Sequence, residues 1–439
     1  MSFLELRAAV LSGALVLGAV CSASAQTVGS ERPFRGLFGA PDVTGRGQTL
    51  AFDWSLLGAY DDNVVADSAT AVDSRFAVNG MYGGASSALT YAAEREHMSF
   101  SVTGTSSGRY YPDVRELSAF DGGAGLAFRS DLGRRTKIDV AQSFAYQPYY
   151  GIDFMGSLAP SESATENAGG QSDQIGLQSR SSFGLDGQFG LERTLGARSS
   201  VRAHYGYRTM RFGGGEDRYS WRLANVAFSR KLTRDVAVRA GYGYGVGKNT
   251  VATAVPSVVN HNLDFGVDYN RQLSFSRRTR IHFSSGSTAV VDRATTDYRL
   301  IGTAGLTQEI GRSWRANAAY NRGLQYLPGF GEMFFADTVQ LGVGGLVARR
   351  VEAGATGGWT AGQLGLERAA DSYSSATAAA NLRVAMSRTL SFFVQYTYYR
   401  YGFDAGAQMP FDLPPQLNRQ AIRFGISGSL PLIGRRSVS

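Results

Sequence analysis

Four features of this chain have residue types and spacings that could do chemistry. Gly104-Thr105-Ser106-Ser107-Gly108 fits G-x-S-x-G, a pattern in which a sharp strand-to-helix turn exposes a nucleophilic serine. Here it lies inside a stretch that alternates apolar and polar side chains, so the pattern offers no such turn. Gly247-Lys248-Asn249 is like the end of a phosphate-binding loop, yet Tyr242 stands where the upstream glycine belongs and Asn249 replaces Ser/Thr. The four histidines, His97, His204, His261 and His282, show no metal-ligand spacing. His204 and His282 fall on polar strand faces, where a polar wall residue is a commoner role than a general base beside a serine or carboxylate. Asp61-Asp62-Asn63 presents oxygens of the kind calcium takes, and reads more simply as a polar turn at a strand end. No catalytic residue, cofactor or metal site is assigned from these motifs.

The elements that would position such residues are strands. From about Gln48 onward, alternating stretches are joined by tight basic turns on one side and longer polar loops on the other. Val236, Val238, Ala240, Tyr242, Tyr244 and Val246 form the clearest apolar face, because alternate side chains of a strand point to opposite faces. Leu263, Phe265, Val267 and Tyr269 form another, as do Leu390, Phe392, Val394, Tyr396 and Tyr398. The turns resemble one another, as in Leu132-Gly133-Arg134-Arg135, Leu195-Gly196-Ala197-Arg198, Ile310-Gly311-Arg312-Ser313 and Ala348-Arg349-Arg350. The unit is a repeated hairpin. About eighteen strands are predicted, with a phase change, and so a bulge, near 224–228. The segment 149–180 is the longest loop and is acidic; it is expected either to narrow a pore or to stay outside it.

Composition narrows the class. The 439 residues include 55 glycines, 22 tyrosines, 25 phenylalanines and one cysteine, and only 18% are charged. One cysteine excludes a disulfide scaffold, the aromatic content argues against disorder, and the glycine content excludes a coiled coil. A helical membrane protein needs several apolar runs of about twenty residues, and the one long apolar run lies at the N-terminus. Residues 1–25 read as a secretory signal, with Arg7, an apolar core from Ala8 to Val20 and a small-x-small site at Ala23-Ser24-Ala25. Cys21 lacks the lipoprotein context, since Gly18 and Val20 occupy the flanking places. The remaining divisions are 26–48 as a periplasmic N-terminal segment, 49–432 as the barrel and 433–439 as a C-terminal tail.

The fold class expected is all-β: a closed antiparallel transmembrane barrel of about eighteen strands, with short periplasmic turns and longer external loops. The strands are long enough to cross a bilayer at a tilt, and a membrane-spanning sheet cannot leave an edge unpaired. A soluble propeller has repeats of similar length but four short strands per blade, where this repeat holds two long ones. If the apolar face meets lipid, the opposite face lines a lumen. Residues expected there are Lys137, Arg202, Arg208, Arg222, Arg239, Asp264, Asp268, Arg280, Arg299, Arg315, Arg383 and Arg423, together with Arg129 and the acids Asp53, Asp139, Asp186 and Glu192. Basic residues outnumber acidic ones in this set, and the formal net charge is +8. Two readings follow: a mildly anion-preferring lumen, or arginine–carboxylate pairs that fill the interior.

The mature N-terminus Arg32-Pro33-Phe34-Arg35-Gly36-Leu37-Phe38-Gly39, the first strand ending in Tyr60-Asp61-Asp62-Asn63-Val64 and the basic hairpin turns resemble the bacterial β-barrel porin families of the outer membrane. The chain departs from many such barrels at its end, where Ile433-Gly434-Arg435-Arg436-Ser437-Val438-Ser439 follows the last strand in place of a terminal aromatic. The resemblance implies location in the outer membrane of a Gram-negative bacterium, contact with its lipid, insertion by the barrel-insertion machinery and passage of polar solutes or an anionic polymer. Porin-like passive passage is the first functional expectation. Export of a polysaccharide with a periplasmic partner docked on the basic turns is the alternative. No enzymatic activity and no nucleic-acid partner are expected.

Overall fold

The computed structural model describes residues 47–433, apart from the connecting segments 63–79, 113–117, 149–180, 214–217, 251–257, 274–275, 293–294, 326–329, 331–333, 365–370 and most of 405–413. The signal, the 149–180 loop, and all of the 26–48 segment and 433–439 tail except 47–48 and 433, which are strand, lie outside the described residues.

Eighteen strands follow one another in chain order: β1 (Gly47–Asp61), β2 (Gly80–Arg95), β3 (Met98–Tyr110), β4 (Ala119–Asp131), β5 (Thr136–Gln147), β6 (Ser182–Gly196), β7 (Ser199–Phe212), β8 (Arg218–Lys231), β9 (Val236–Asn249), β10 (Val258–Leu273), β11 (Ser276–Asp292), β12 (Thr295–Ile310), β13 (Trp314–Gln325), β14 (Phe334–Ala348), β15 (Val351–Leu364), β16 (Asp371–Ala385), β17 (Leu390–Phe403) and β18 (Gln416–Ile433). Each pairs antiparallel with its neighbours in sequence, and β1 pairs with both β2 and β18, so the sheet closes on itself. Closure removes the edge that a bilayer would penalise by several kcal/mol for each unpaired group. The shortest strands have 12 residues. At about 3.4 Å per residue and a tilt near 40°, even these cover the apolar band of about 25 Å.

The hairpin turns gather at one end and the longer connections at the other. Gly133 (φ 84°) and Gly311 (φ 65°) supply the left-handed conformation that two of these turns require. Where Gly is absent, a hydroxyl does related work. Thr233 Oγ1 accepts from the backbone N–H of Asp235 (3.3 Å) and Val236 (3.1 Å), and Ser387 Oγ accepts from Thr389 (3.2 Å) and Leu390 (3.1 Å).

Directly paired residues share a face, so the register sorts every strand. One face carries the exposed apolar side chains, among them Leu263, Phe265, Leu300, Leu341, Trp359, Phe392 and Phe424. A water-facing surface of that kind would be untenable, and these residues form the lipid-facing wall. A closed eighteen-strand barrel with an apolar exterior is the architecture of an outer-membrane protein. The expected bulge near 224–228 is absent: β8 pairs without interruption to β7 and to β9. The register shifts lie elsewhere, for example between His261 and Val267 in the β10–β11 pair. The apparent phase change came from apolar residues on both faces of β8.

Candidate functional site

The inner wall is the face opposite the apolar exterior. Lys137, Arg202, Arg208, Arg239, Arg280, Arg299, Arg315, Arg383, Arg423 and Asp268 all occupy this face in the register. Asp264 takes an inner position opposite Gly241. Arg222 does not. It pairs with Tyr207 and Val246 on the outer wall, while its neighbours Trp221 and Leu223 point inward. Trp221 lies over Gly245, where a Cβ would come within 2.8 Å of the indole. An apolar residue chosen to cover a glycine thus reversed the polarity that alternation alone would assign to this part of β8.

Carboxylates face most of the inner arginines. Arg202 Nη2 lies 2.5 Å from Glu192 Oε2, and Arg208 Nε lies 2.5 Å from Asp186 Oδ1. Arg239 donates from Nη1 to Asp268 Oδ1 at 2.5 Å and from Nη2 to Ser284 Oγ at 2.9 Å. Arg383 stands opposite Glu352, Arg129 opposite Asp139, Arg315 opposite Glu309, and Lys137 opposite Asp131 and Glu192. At the barrel seam, Arg419 grips Asp61 through Nε (3.0 Å to both oxygens) and Nη2 (2.6 Å to Oδ2). Both side chains are buried, and Arg423 beside them donates from Nε to Tyr82 Oη at 3.0 Å. His282 lies flat along the wall over Gly305, where any Cβ would collide with the ring at 2.1 Å. This is one physical use for the high glycine content: it makes room for large polar side chains along the sheet.

The sequence reading omitted the acids Asp61, Asp121, Asp131, Glu309 and Glu352, which share the inner face. It also omitted Arg109 and Arg419. The signal that could have found them was the same alternation carried out to the strand ends. With these included, acids and bases on the described inner wall are close to balance. The excess of positive charge lies instead in the hairpin turns, at Arg134, Arg198, Arg234, Arg312, Arg349 and Arg388.

The loop end of the interior is aromatic. Phe334, Tyr373 and Phe403 pack edge-on and stacked at ring separations of 4.8 to 6.3 Å, and Tyr401 joins Phe403 at 5.8 Å. Phe330, in the β13–β14 connection, is 2% exposed. Its ring stacks on Phe403 at 5.7 Å, and its carbonyl accepts a hydrogen bond of 2.6 Å from Asn249 Nδ2 of β9. β9 and β17 lie nearly opposite one another in the ring. A residue touching the inner face of both therefore sits in the bore and narrows it. Nothing in the local sequence signals that crossing. The 149–180 segment, proposed for such a role from its length, lies outside the described residues.

The remaining motifs find structural employment. Ser106 sits in mid-strand on the outer wall with its hydroxyl 3.0 Å from Ser87 Oγ. Gly247 and Lys248 belong to β9, with Lys248 on the outer wall. His261 is on the outer wall, its Nδ1 2.8 Å from Tyr242 Oη. Asp61 engages Arg419, and Asp62 Oδ1 accepts the Gln420 N–H at 2.7 Å. Among the described residues, no group of three or more His, Cys, Asp or Glu side chains is arranged to hold a metal ion.

No family model matches the chain, and no curated protein matches it. Solved structures give similarities of shape at very low identity. The crystal structure of Pseudomonas aeruginosa OpdO is 10% identical, with 88% of this chain and 98% of that one covered and a TM-score of 0.43. P. aeruginosa OccK2 (OpdF), solved in complex with glucuronate, is 9% identical over 88% and 98%, with a TM-score of 0.44. The siderophore receptor PirA of P. aeruginosa is 11% identical over 88% and 81%, also at 0.44. The barrel itself rests on the strand pairing of this chain, which closes through β1 and β18.

Proposed function

We propose that this protein is a passive channel for small polar solutes across the outer membrane. The observation that carries this reading is the sidedness of one closed sheet: apolar residues outside, and charged and hydrogen-bonding residues inside. An interior built only to support the fold gains nothing from exposed ion pairs such as Arg208–Asp186 and Arg202–Glu192, because such pairs contribute about 0–1 kcal/mol each. They do keep a wall wet, and a wet wall lets a polar solute exchange its hydration for side-chain contacts.

Wall charges close to balance make a strong field of one sign along the bore a poor expectation. Any anion preference of this channel belongs to the hairpin-turn mouth, where arginines outnumber acids. The aromatic cluster around Phe330 and Phe403 makes the loop-end entry narrow, which favours small solutes over a polymer. No feature of the described residues adds support for polysaccharide export.

Purified protein in planar bilayers tests this. Discrete conductance steps are expected, with a reversal potential in a salt gradient that is near zero or mildly anion-directed. Absence of steps, with folded barrel shown in the same membranes, would refute passive passage.

A further inference from the structure

The outer wall carries a basic patch that the channel reading does not use. Arg211 of β7 stands directly opposite Arg218 of β8, and two residues further along β8, Ser220 stands opposite Lys248 of β9. Arg222 completes the group on the same face. All four side chains are exposed. Like charges directly opposed across a strand pair are destabilising, and exposed cations on a lipid-facing wall are costlier still toward the bilayer midplane. Among the described residues, the outer face of β6 to β10 holds no carboxylate to offset them. Among the described residues, the fold therefore keeps a repulsive cluster without a counter-charge on that wall.

Its height explains where a counter-charge would come from. The outer apolar face of this wall begins near Val201 and Phe228, which are paired at the hairpin end. From Val201 to Arg211 the chain climbs about 26 Å at a rise of ~3.4 Å and a tilt near 40°. That equals the ~25 Å height of the apolar band. Arg211, Arg218 and Lys248 thus lie at the headgroup level of the leaflet on the loop side. Arg222 lies lower, where a long side chain extends up toward the interface. Guanidinium groups match phosphate bidentately, and clusters of Lys and Arg at a membrane interface bind anionic headgroups.

We propose that Arg211, Arg218, Arg222 and Lys248 form a binding site for the phosphorylated headgroup of a lipid in the outer leaflet. The site holds the lipid against the β7–β9 wall and neutralises the opposed arginines.

The test uses the full-length protein in an uncharged detergent, titrated with bisphosphorylated lipid A and with its dephosphorylated form. Wild type is expected to bind the phosphorylated lipid and to release it as salt rises. R211Q/R218Q/K248Q is expected to bind roughly 100-fold more weakly, from the loss of three interfacial cations. R211K/R218K keeps the charge and should stay within about threefold of wild type by the same arithmetic, which separates lost binding from lost folding. Neutralising the turn arginines Arg134, Arg349 and Arg350, at the opposite end, should change nothing. Equal binding of the two lipid forms, or an unaffected triple variant, would overturn the proposal. Displacement by inorganic phosphate at matched concentration would assign the site to the free ion and overturn the lipid assignment. Conductance of the triple variant should equal that of wild type, which keeps this result separate from the channel reading.

Discussion

Replacing Asp61 by Ala should be one of the most damaging single changes in the barrel. Asp61 closes the loop end of the seam between the first and last strands, and its carboxylate takes three contacts of 2.6 to 3.0 Å from Arg419. The two side chains are only 4% and 6% exposed. Removing one member of a buried pair leaves the other charge without compensation, at a cost of about 3–5 kcal/mol. The pair faces a polar interior, so water entering the space left by the carboxylate holds the loss near ~3 kcal/mol, roughly a 150-fold shift in the folding equilibrium. R419M should cost a similar amount. The double variant D61A/R419M should lose less than the sum, with a coupling energy of at least about 2 kcal/mol. Urea unfolding of the inserted barrel measures this, and Trp54 on β1 serves as a local fluorophore because it lies opposite Gly428 across the same seam. Single losses below about 1 kcal/mol that simply add would show that the seam is held by its backbone ladder alone.

Other measurements follow from the same geometry. F330A should raise single-channel conductance by removing the ring that crosses the bore, and N249A should raise it to a smaller extent by releasing the Phe330 carbonyl; unchanged conductance in both would remove this residue from the permeation path. Neutralising Arg208 and Asp186 together (R208Q/D186N) should shift ion selectivity only slightly, because the pair adds no net charge to the wall, whereas neutralising Arg134, Arg312 and Arg349 together should move the reversal potential toward cations. A large shift from removing the pair would contradict the balance of the wall. Outside the barrel, Asp404 accepts the backbone N–H (2.7 Å) and the hydroxyl (2.9 Å) of Ser372, and these bonds hold its carboxyl below the usual carboxylate range. A depressed carboxylate stabilises above its unfolded value and loses that contribution as pH falls through the folded one. Protection of the Ser372 amide should therefore persist from neutral pH down through the usual carboxylate range and fade only below it, and D404N should lose the pH dependence.

Strand number, strand positions and the apolar exterior were legible in the chain because alternation is a local property. Each strand announces its own two faces, and a lipid exterior demands that one of them be apolar throughout. The turns were legible for the same reason, since Gly133 and Gly311 answer a backbone requirement set within a few residues. Arg222 and the supposed bulge show where the local reading fails. Apolar residues occur on both faces of β8, and only the pairing of β8 with β9, which sets the Trp221 ring over Gly245, reveals that Trp221 is an inward cover. The balance of charge was not legible either, because Asp61, Asp131, Glu309 and Glu352 sit at strand ends where alternation gives way to turns.

What the sequence determined by itself was a closed, membrane-facing sheet, since period-two patterning, strand length and the prohibition on unpaired edges in lipid leave few alternatives. Tertiary structure alone decided which charges meet. Arg419 reaches Asp61 across nearly the whole length of the chain, Asn249 reaches Phe330 across the bore, and Arg211 faces Arg218 and the Lys248 strand at one height on the wall. Those distances depend on register and closure around the ring, and no window of neighbouring residues contains either.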